Sequence, residues 1–400
     1  MKILMLHNRY LVPGGEDQSA AAEAALLARH GHEVELLEED NKRVEALGKT
    51  RTALRTLWSP ESQKRVESKL RSGHFDILHV QNFFPLWSPS VYYAASRCGV
   101  PVVQTLRNYR LICSNAIFFR ENRVCEDCLG RFVPWPGILH ACYRGSRAAS
   151  SVVAAMIGAH KIAGTWQKRV SAYIALTDFA REKYIAGGLP AEKIIVKPNF
   201  VDPAPSPGGG GGGGYALFVG RLSAEKGLAT MIEAWKTADG VLPLKIAGDG
   251  PLLELVKAAA ATNPSIQYLG RTAPEDTLEL MRRAEFLVFP SGCYEAMPRT
   301  VIEAFAVGTP VLASDIGASA SMITSEETGF HFAPRNVTEL REKAEWCSRN
   351  LLRMRAMRAK ARDVFEARYT GAANVAALLS IYSKAQETRL FSRSVVGVSS

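Results

Sequence analysis

The 400-residue sequence lacks any uninterrupted apolar run of the roughly 18 to 20 residues that a membrane-spanning helix needs. The longest candidate, residues 148–159, is rich in small residues and is interpreted as a buried helix. A secretory leader is not expected either, because the apolar N-terminal stretch is short and His7 and Arg9 follow it closely. These absences predict a cytoplasmic protein whose first residues form a core strand.

Three further absences narrow the class of function. The Gly-x-Gly-x-x-Gly fingerprint of dinucleotide-binding folds does not follow the first predicted strand, which argues against a nicotinamide-dependent dehydrogenase. No nucleic-acid recognition module accompanies the net charge of +10, so nucleic acid is not expected as a partner. No internal repeat occurs at solenoid spacing either.

What the sequence does contain is an alternation of short aliphatic runs with amphipathic stretches of helical length. This pattern is typical of parallel sheets with crossover helices. The strands predicted in the first half are Ile3–Leu6, Val34–Leu37, Ile77–Val80, Val102–Thr105, Tyr173–Leu176 and Ile194–Lys197. The strands predicted in the second half are Ala216–Val219, Leu244–Ala247, Ile266–Tyr268, Phe286–Phe289 and Val311–Ala313.

Between the two halves lies a stretch rich in proline and glycine, residues 203–214, which cannot pack a core and is typical of a linker. The predicted fold class is therefore α/β, with two Rossmann-like domains at residues 1–202 and 215–371 that face each other across a cleft. The C-terminal helix, about residues 372–400, is expected to pack back on the first domain. Ligands of open α/β sheets bind outside the carboxyl ends of the strands.

The charge excess is concentrated in residues 41–71, which contain nine Lys and Arg against three Glu. Leu54, Leu57 and Trp58 lie in the same segment. Two interpretations stay open at this point: a basic amphipathic helix on an anionic membrane surface, or a solvated helical face.

In the second half, three loops that follow predicted strands carry residues suited to an anionic sugar ligand. Arg221 and Lys226 lie in the sequence Gly-Arg-Leu-Ser-Ala-Glu-Lys-Gly, between a strand and a helix. A helix N-terminus favours an anion, and the two cations add the charge that a diphosphate site needs. After a later strand, seven residues separate Glu295 from Glu303. Carboxylates suit vicinal diols because each oxygen accepts hydrogen bonds.

These motifs resemble those of glycosyltransferase family 4 over nearly the whole chain. Their order is Gly-Arg-Leu-x-x-Glu-Lys-Gly, then Gly-Asp-Gly-Pro at 248–251, Tyr-Leu-Gly-Arg at 268–271, and Glu-x7-Glu. The resemblance implies a retaining hexosyl-type transferase of the GT-B type, with a nucleotide-sugar donor bound mainly by the second domain.

The resemblance also implies residue roles. Arg221 and Lys226 would bind the donor diphosphate, Glu295 would contact the transferred sugar and take part in catalysis, and Glu303 would contact the ribose. The remaining donor-binding positions that it implies in the second domain are Gly220, Gly270, Arg271, Met297, Pro298 and Thr300.

In the first half, the sequence Pro13-Gly-Gly-Glu16 follows the first strand and resembles the N-terminal loop of the family, which touches the donor from across the cleft. Gly14 and Gly15 are therefore expected to bind donor. Residues 76–89 and 101–110 resemble a bacterial subgroup associated with surface polysaccharide assembly. The acceptor would then be a glycan or a lipid-linked glycan.

Two positions depart from that subgroup, which commonly has His where this chain has Gln81 and Arg107. The second His is the active-site histidine of the family. Arginine stays protonated and cannot serve as a base, although a departing diphosphate can itself take the proton of the acceptor. Two alternatives stay open: an active enzyme in which Arg107 holds a sugar hydroxyl or phosphate, or an impaired one. For His79, a place near the acceptor and a structural role both stay open.

Four of the seven cysteines cluster in the sequence, and one pair has zinc-knuckle spacing. They are expected either to hold a structural zinc ion or to be separate reduced thiols; they are Cys113, Cys125, Cys128 and Cys142. No cofactor is expected in catalysis. Three rival functions are a nucleotide-sugar 2-epimerase, a pyridoxal-phosphate phosphorylase and a non-catalytic sugar-nucleotide-binding subunit of a polysaccharide assembly complex.

Overall fold

A computed structural model describes residues 1–11, 14–207, 211–236 and 240–396, and it divides into two compact units. The first unit contains Met1–Phe118, Cys125–Pro198 and the chain from Asn374 onward. The second contains Phe119–Val124 and Asn199–Ala373. Pro13 of the Gly-Gly loop, residues 208–210 of the predicted linker and residues 397–400 of the predicted C-terminal helix lie outside the described residues.

The first unit is built on a six-stranded parallel sheet with the order β2-β1-β3-β4-β7-β8. Its strands are β1 (Lys2–Arg9), β2 (Glu33–Asp40), β3 (Ile77–Val80), β4 (Val102–Leu106), β7 (Ala172–Ala175) and β8 (Ile194–Val196). Its helices are α1 (Gly15–Arg29), α2 (Arg43–Leu57), α3 (Pro60–Gly73), α4 (Ser90–Cys98), α5 (Trp135–Leu139), α6 (Arg147–Ile162), α7 (Thr165–Lys168) and α8 (Asp178–Ala186).

The second unit has its own six-stranded parallel sheet, with the order β11-β10-β9-β12-β13-β14. The strands are β9 (Ala216–Val219), β10 (Leu244–Ala247), β11 (Ile266–Gly270), β12 (Phe286–Phe289), β13 (Val311–Ser314) and β14 (Gly329–Phe332). The helices are α9 (Leu228–Lys236), α10 (Leu253–Thr262), α11 (Pro274–Arg283), α12 (Arg299–Ala306), α13 (Gly317–Met322), α14 (Val337–Arg349) and α15 (Leu351–Arg368). The last helix, α16 (Gly371–Val396), begins here, and its residues from Asn374 onward belong to the first unit.

Two parallel sheets flanked by helices confirm the predicted α/β class with two Rossmann-like domains. The aliphatic runs form the strands because their side chains are buried on both faces of the sheet, as at Ile3–Leu6 in β1, where exposure is 0%. Each predicted strand lies at an observed one. Polar residues that follow the runs therefore fall at the carboxyl ends of the strands.

Sequence patterning did not predict two features. One is a short antiparallel hairpin, β5 (Phe119–Arg120) with β6 (Arg123–Val124), which is grouped with the second unit. The other is the edge strand β14. Both are too short or too little hydrophobic to show a clear period.

The basic segment 41–71 forms α2 and α3, and several of its arginines lie around one carboxylate of the preceding strand. Glu39, at the end of β2, is buried and accepts from Arg43 at 2.6 Å and from Arg65 at 2.8 Å; Arg55 lies 3.5 Å from it. A left-handed Gly48 interrupts α2. The segment is therefore not one continuous amphipathic helix. Among the described residues, none of the helices has the length and apolarity to cross a membrane.

Candidate functional site

Lys226 and Glu295 come together at the carboxyl ends of two adjacent strands of the second unit. Lys226 ends a single 3₁₀ turn (Ala224–Lys226) after β9, and Glu295 lies in the loop after β12. The Lys226 ammonium donates to Glu295 Oε1. Burial opposes the charge of Lys226, but the neighbouring Glu295 carboxylate outweighs it and raises the pKa of Lys226. Lys226 is therefore a permanent cation at this edge of the sheet.

Backbone and side-chain hydrogen bonds join the two loops that carry this pair. Gly292 N–H and Ser291 Oγ both donate to the Glu225 carbonyl, at 2.8 Å and 3.3 Å, and Ser291 Oγ also lies 3.0 Å from Glu295 Oε1 within its own loop. Gly227 has a φ of +72°, and a Cβ there would lie 1.8 Å from the Pro290 carbonyl oxygen. Only glycine allows this approach. The last glycine of the Gly-Arg-Leu-x-x-Glu-Lys-Gly motif thus holds Lys226 beside the β12 loop.

Glu303 lies one turn inside α12, where Arg299 Nε donates to its Oε1 at 2.7 Å. Burial raises the pKa of Glu303, and Arg299 opposes that rise. Of the expected donor-binding residues beside it, Pro298 is the N-cap of α12, Thr300 lies in its first turn, and the Met297 sulfur accepts from Asn199 N–H at 3.1 Å. These three residues therefore surround the start of the helix that carries Glu303.

The other expected donor positions follow β9, β10 and β11. Arg221 is exposed, directly after Gly220. A Cβ on Gly248, whose φ is +148°, would lie 1.9 Å from the Gly220 carbonyl oxygen, so this glycine lets the β9 and β10 loops meet. Gly270 ends β11, and Arg271 lies 4.0 Å from Asp249. All of these residues are therefore at one edge of the second sheet.

A chain of buried polar residues lies at the carboxyl ends of β3, β4 and β8 in the first unit. Lys197 Nζ donates to Glu23 Oε2 at 2.7 Å, and Gln81 Nε2 donates to Glu23 Oε1 at 2.6 Å. Burial disfavours the Glu23 carboxylate, but Lys197, with further help from Arg107, lowers the pKa of Glu23 to about 2. Glu23 is therefore ionised at neutral pH.

The two departures from the subgroup pattern are hydrogen-bonded to each other. Gln81 and Arg107 directly follow β3 and β4, which are neighbouring strands. Arg107 Nε donates to Gln81 Oε1 at 2.8 Å. Because the Gln81 amide nitrogen donates to Glu23 and its amide oxygen accepts from Arg107, these two hydrogen bonds determine the orientation of the amide. In the sequence, Gln81 and Arg107 are two separate departures from the subgroup. In the structure, they form one hydrogen-bonded pair.

His79 has a structural position. Its Nδ1 lies 2.7 Å from the Tyr382 hydroxyl of α16, and its Nε2 lies 2.7 Å from Thr105 Oγ1. Burial lowers the pKa of His79 to about 4, so the ring is neutral at physiological pH. Both ring nitrogens already have partners within the first unit, which favours the structural alternative for this residue.

Gly14 and Gly15 lie at the start of α1. Gly14 N–H donates to Asp17 Oδ2 at 2.9 Å, and Glu16 accepts from the Tyr10 hydroxyl at 3.0 Å. Burial raises the pKa of Glu16, although Asn108 and Tyr10 donate to it. The turn is thus closed by acidic side chains at the helix N-terminus, where they are favoured.

The four cysteines of the predicted zinc site lie in the first unit. Cys113 and Cys128 are buried, and Cys125 and Cys142 are half-buried. Burial raises the pKa of Cys128 to about 12. Over residues 1–11, 14–207, 211–236 and 240–396, no group of three or more His, Cys, Asp or Glu is placed to hold a metal ion. The geometry does not support the zinc site, which stays a prediction.

Two family models match the chain one after the other. The first, Glycosyltransferase Family 4, covers residues 13–205, and the second, Glycosyl transferases group 1, covers residues 209–364. Their junction falls in the segment 203–214, and the Lys226–Glu295 pair lies in the second match. The chain belongs to the family 4 glycosyltransferases.

The curated relatives match this chain over only part of their length. The D-rhamnosyltransferase WbpZ of Pseudomonas aeruginosa is 34% identical over 136 residues, 33% of this chain and 35% of the relative. The amylovoran biosynthesis glycosyltransferase AmsK of Erwinia amylovora is 29% identical over 165 residues, 38% of this chain and 40% of the relative. The matches therefore span about a third of the length of these relatives.

Solved structures match over nearly the whole chain. HepE of Anabaena in complex with UDP has a TM-score of 0.66 at 17% identity, covering 96% of this chain and 100% of that one. A glycosyltransferase from Rickettsia africae has a TM-score of 0.67 at 18% identity, covering 96% and 98%. At these identities the likeness concerns the fold alone.

Sequence reasoning missed several residues that lie around the candidate positions in each unit. Ser291 lies in the loop that the motif includes, and Arg299 stands four residues before Glu303, so helical spacing could have indicated that pair. Glu23 and Lys197 are 174 residues apart and no local pattern connects them. Only the fold brings them into contact.

Proposed function

We propose that this protein is a retaining glycosyltransferase that moves a hexose-type sugar from a nucleotide-diphosphate sugar to a hydroxyl of a glycan or lipid-linked acceptor in cell-surface polysaccharide synthesis. The observation that carries the proposal is the Lys226–Glu295 pair at the carboxyl ends of β9 and β12, beside the start of α12. Membership of family 4 supports it. Two partial relatives also support it, since WbpZ is named as a D-rhamnosyltransferase and AmsK as an amylovoran biosynthesis glycosyltransferase.

In the proposed reaction, the bond between the anomeric carbon and the diphosphate breaks and a bond to the acceptor oxygen forms on the same face of the sugar. Negative charge builds on the departing diphosphate, where Lys226 and Arg221 stabilise it. The same diphosphate takes the proton of the acceptor hydroxyl. Glu295 holds sugar hydroxyls, Glu303 holds the ribose, and Gly14, Gly15 and Gly270 allow close backbone approach to the donor. The proposal requires no cofactor.

A screen of nucleotide sugars with different bases and sugars, followed by the melting temperature of the protein, tests donor binding. We expect one donor class to raise the melting temperature, because a ligand that binds only the folded state stabilises it. At about 100 times the dissociation constant the gain is about 2.7 kcal/mol. The Lys226→Ala variant should lose the shift. If no nucleotide sugar shifts the melting temperature, the donor assignment is wrong.

The main rival is a non-catalytic sugar-nucleotide-binding subunit, which Arg107 supports. A transfer assay on the Arg107→His variant separates it from the enzyme, because the variant restores the residue common in the subgroup. In our proposal the natural chain transfers sugar, and the His variant changes the rate less than about tenfold. A large gain in transfer would show that the natural chain is impaired. Product analysis without acceptor would reveal a 2-epimerase.

We also propose that the first unit lies on the inner face of an anionic membrane, where a lipid-linked acceptor would be found. Exposed apolar side chains occur on α2, around α5 and at the end of α6, and both α2 and α5 pack on α6. We call them the apolar surface: Leu54, Trp58, Phe132, Trp135, Leu139 and Ile162. Arg131, whose guanidinium lies 4.9 Å from the Trp135 ring centroid, and Lys161 supply nearby positive charge. This combination suits an interfacial surface better than α2 alone.

Flotation with vesicles that contain phosphatidylglycerol tests this surface. The double variant Phe132→Ser and Ile162→Ser should weaken binding at least about tenfold, because two large side chains lose their apolar partner. Leu352→Ser is the matched control, since Leu352 is 79% exposed but lies in the second unit. If both variants bound the vesicles as tightly as the natural chain does, the proposed surface would be refuted. The same holds if the natural chain bound equally well to vesicles of phosphatidylcholine alone.

A further inference from the structure

A pocket in the first unit adjoins the Gln81–Arg107 pair. It lies where the chain leaves β3 and β4. Its lining is formed by residues 81–84, 104–108 and 110–111. Among these described residues there are two arginines, Arg107 and Arg110, and no Asp or Glu. The lining therefore presents positive charge and side-chain amides.

The Arg107 side chain is held in place by a network of hydrogen bonds and one ion pair. Its Nε donates to Gln81, which in turn donates to Glu23, and Lys197 balances the charge of that carboxylate. Arg107 is only 6% exposed. Its guanidinium is therefore fixed in orientation before any ligand arrives, which lowers the entropic cost of binding.

Arg110, which also lines the pocket, is held in place by two aromatic rings and a backbone carbonyl. Its guanidinium lies 4.6 Å from the ring centroid of Phe84 and 4.8 Å from that of Tyr143. Its Nη1 donates to the Ser114 carbonyl. A guanidinium keeps further N–H groups for a ligand after such contacts, because it has five.

We infer that this pocket binds an anionic substituent of a sugar, a carboxylate or a phosphate, through Arg107 and Arg110. Planar guanidinium groups match the oxygens of both anions, and hydrogen bonds between charged partners are stronger than those to a neutral hydroxyl. A histidine at position 107 would leave the pocket with one permanent cation, and Arg107 gives it two. The inference rests on the proposed function, since it concerns a sugar of donor or acceptor, and it makes Arg107 a specificity-determining residue.

Titration of the full chain with D-glucuronate, D-glucose 6-phosphate and D-glucose, followed by NMR at constant ionic strength, tests the inference. We expect at least one anionic sugar to bind about tenfold or more tightly than glucose, because a charged hydrogen bond exceeds a neutral one by roughly that factor. Preference for glucuronate identifies a carboxylate, and preference for glucose 6-phosphate identifies a phosphate. The assay needs no nucleotide and no transfer, so it can fail while the proposed function stands, and the reverse also holds.

Arg107→Gln should weaken the preference, because Arg110 is then the remaining arginine of the lining, and Arg107→Lys should weaken it less because the charge remains. Arg147→Gln is the control, since Arg147 is an exposed cation at the start of α6. Equal affinity for the three sugars in the natural chain would overturn the inference even if the position 107 variants do not fold. A preference that is unchanged in folded Arg107→Gln, or that is lost in Arg147→Gln, would overturn it as well.

Discussion

Replacing Lys226 with alanine is expected to lower the rate of sugar transfer by about 10²- to 10³-fold, which is the usual cost of removing one group that stabilises developing charge. The Lys226 ammonium is held by Glu295 in a partly buried site, and it is a permanent cation because its pKa is raised there. In the proposed mechanism this charge faces the departing diphosphate. Glu295→Ala should also lose donor turnover, because it removes both the partner of Lys226 and the acceptor of sugar hydroxyl hydrogen bonds.

Initial rates in a cell-free transfer assay measure this effect, and thermal unfolding shows that each variant is folded. Lys236→Ala is a matched control, since Lys236 is exposed on α9 of the same unit and forms an exposed ion pair with Glu233. It should leave the rate within about twofold, as expected of a surface change of less than about 0.5 kcal/mol. Full transfer activity in both Lys226→Ala and Glu295→Ala would show that the site assignment is wrong.

Replacing Lys197 with methionine is expected to destabilise the first unit by about 3–5 kcal/mol, because the substitution leaves the Glu23 carboxylate buried without its cation. Both side chains are at most 2% exposed, and they meet at 2.7 Å. Methionine has about the length of the lysine stem, so loss of packing adds little. The free energy of unfolding from denaturant titration measures the effect.

A double variant separates the loss of charge pairing from other causes. Combining Lys197→Met with Glu23→Leu removes both charges and should recover at least about half of the loss, since an apolar pair can replace a buried ion pair at little cost. Lys168→Met, an exposed lysine on α7, should change stability by less than about 0.5 kcal/mol. If Lys197→Met were as stable as the natural chain, the ion pair would not be formed in solution.

The buried network around Glu23 and His79 makes the free energy of unfolding depend on pH. The pKa of Glu23 is about 2 in the folded protein and 4.5 ordinarily, so its contribution is present above pH 4.5 and is lost as the pH falls toward 2. His79 acts in the same direction, because its pKa is about 4 when folded and 6.5 ordinarily. At these two groups, the unfolded chain therefore binds more protons than the folded one below pH 6.5. Glu23→Leu combined with Lys197→Met should flatten the lower part of this dependence.

Much of the architecture could be predicted because it depends on local periodicity. Strands such as Ile77–Val80 and Phe286–Phe289 are buried on both faces, and continuous aliphatic runs show such strands clearly. The short hairpin at Phe119–Val124 and the helix break at Asn350 could not be predicted, because neither changes the hydrophobic period. The basic segment forms two helices, with Gly48 interrupting the first, and pattern alone does not show that Glu39 pairs with its arginines.

By itself, the sequence determined the class of fold and the positions of Lys226, Glu295 and Glu303, because motifs after strands must fall at the carboxyl ends of those strands. Tertiary structure alone decided what these residues contact: Glu295 holds Lys226, and Arg299 holds Glu303. It alone joined Gln81 to Arg107 and placed Glu23 against Lys197. The physical reason is that strand order and helix packing, rather than spacing along the chain, bring together groups that are far apart in sequence.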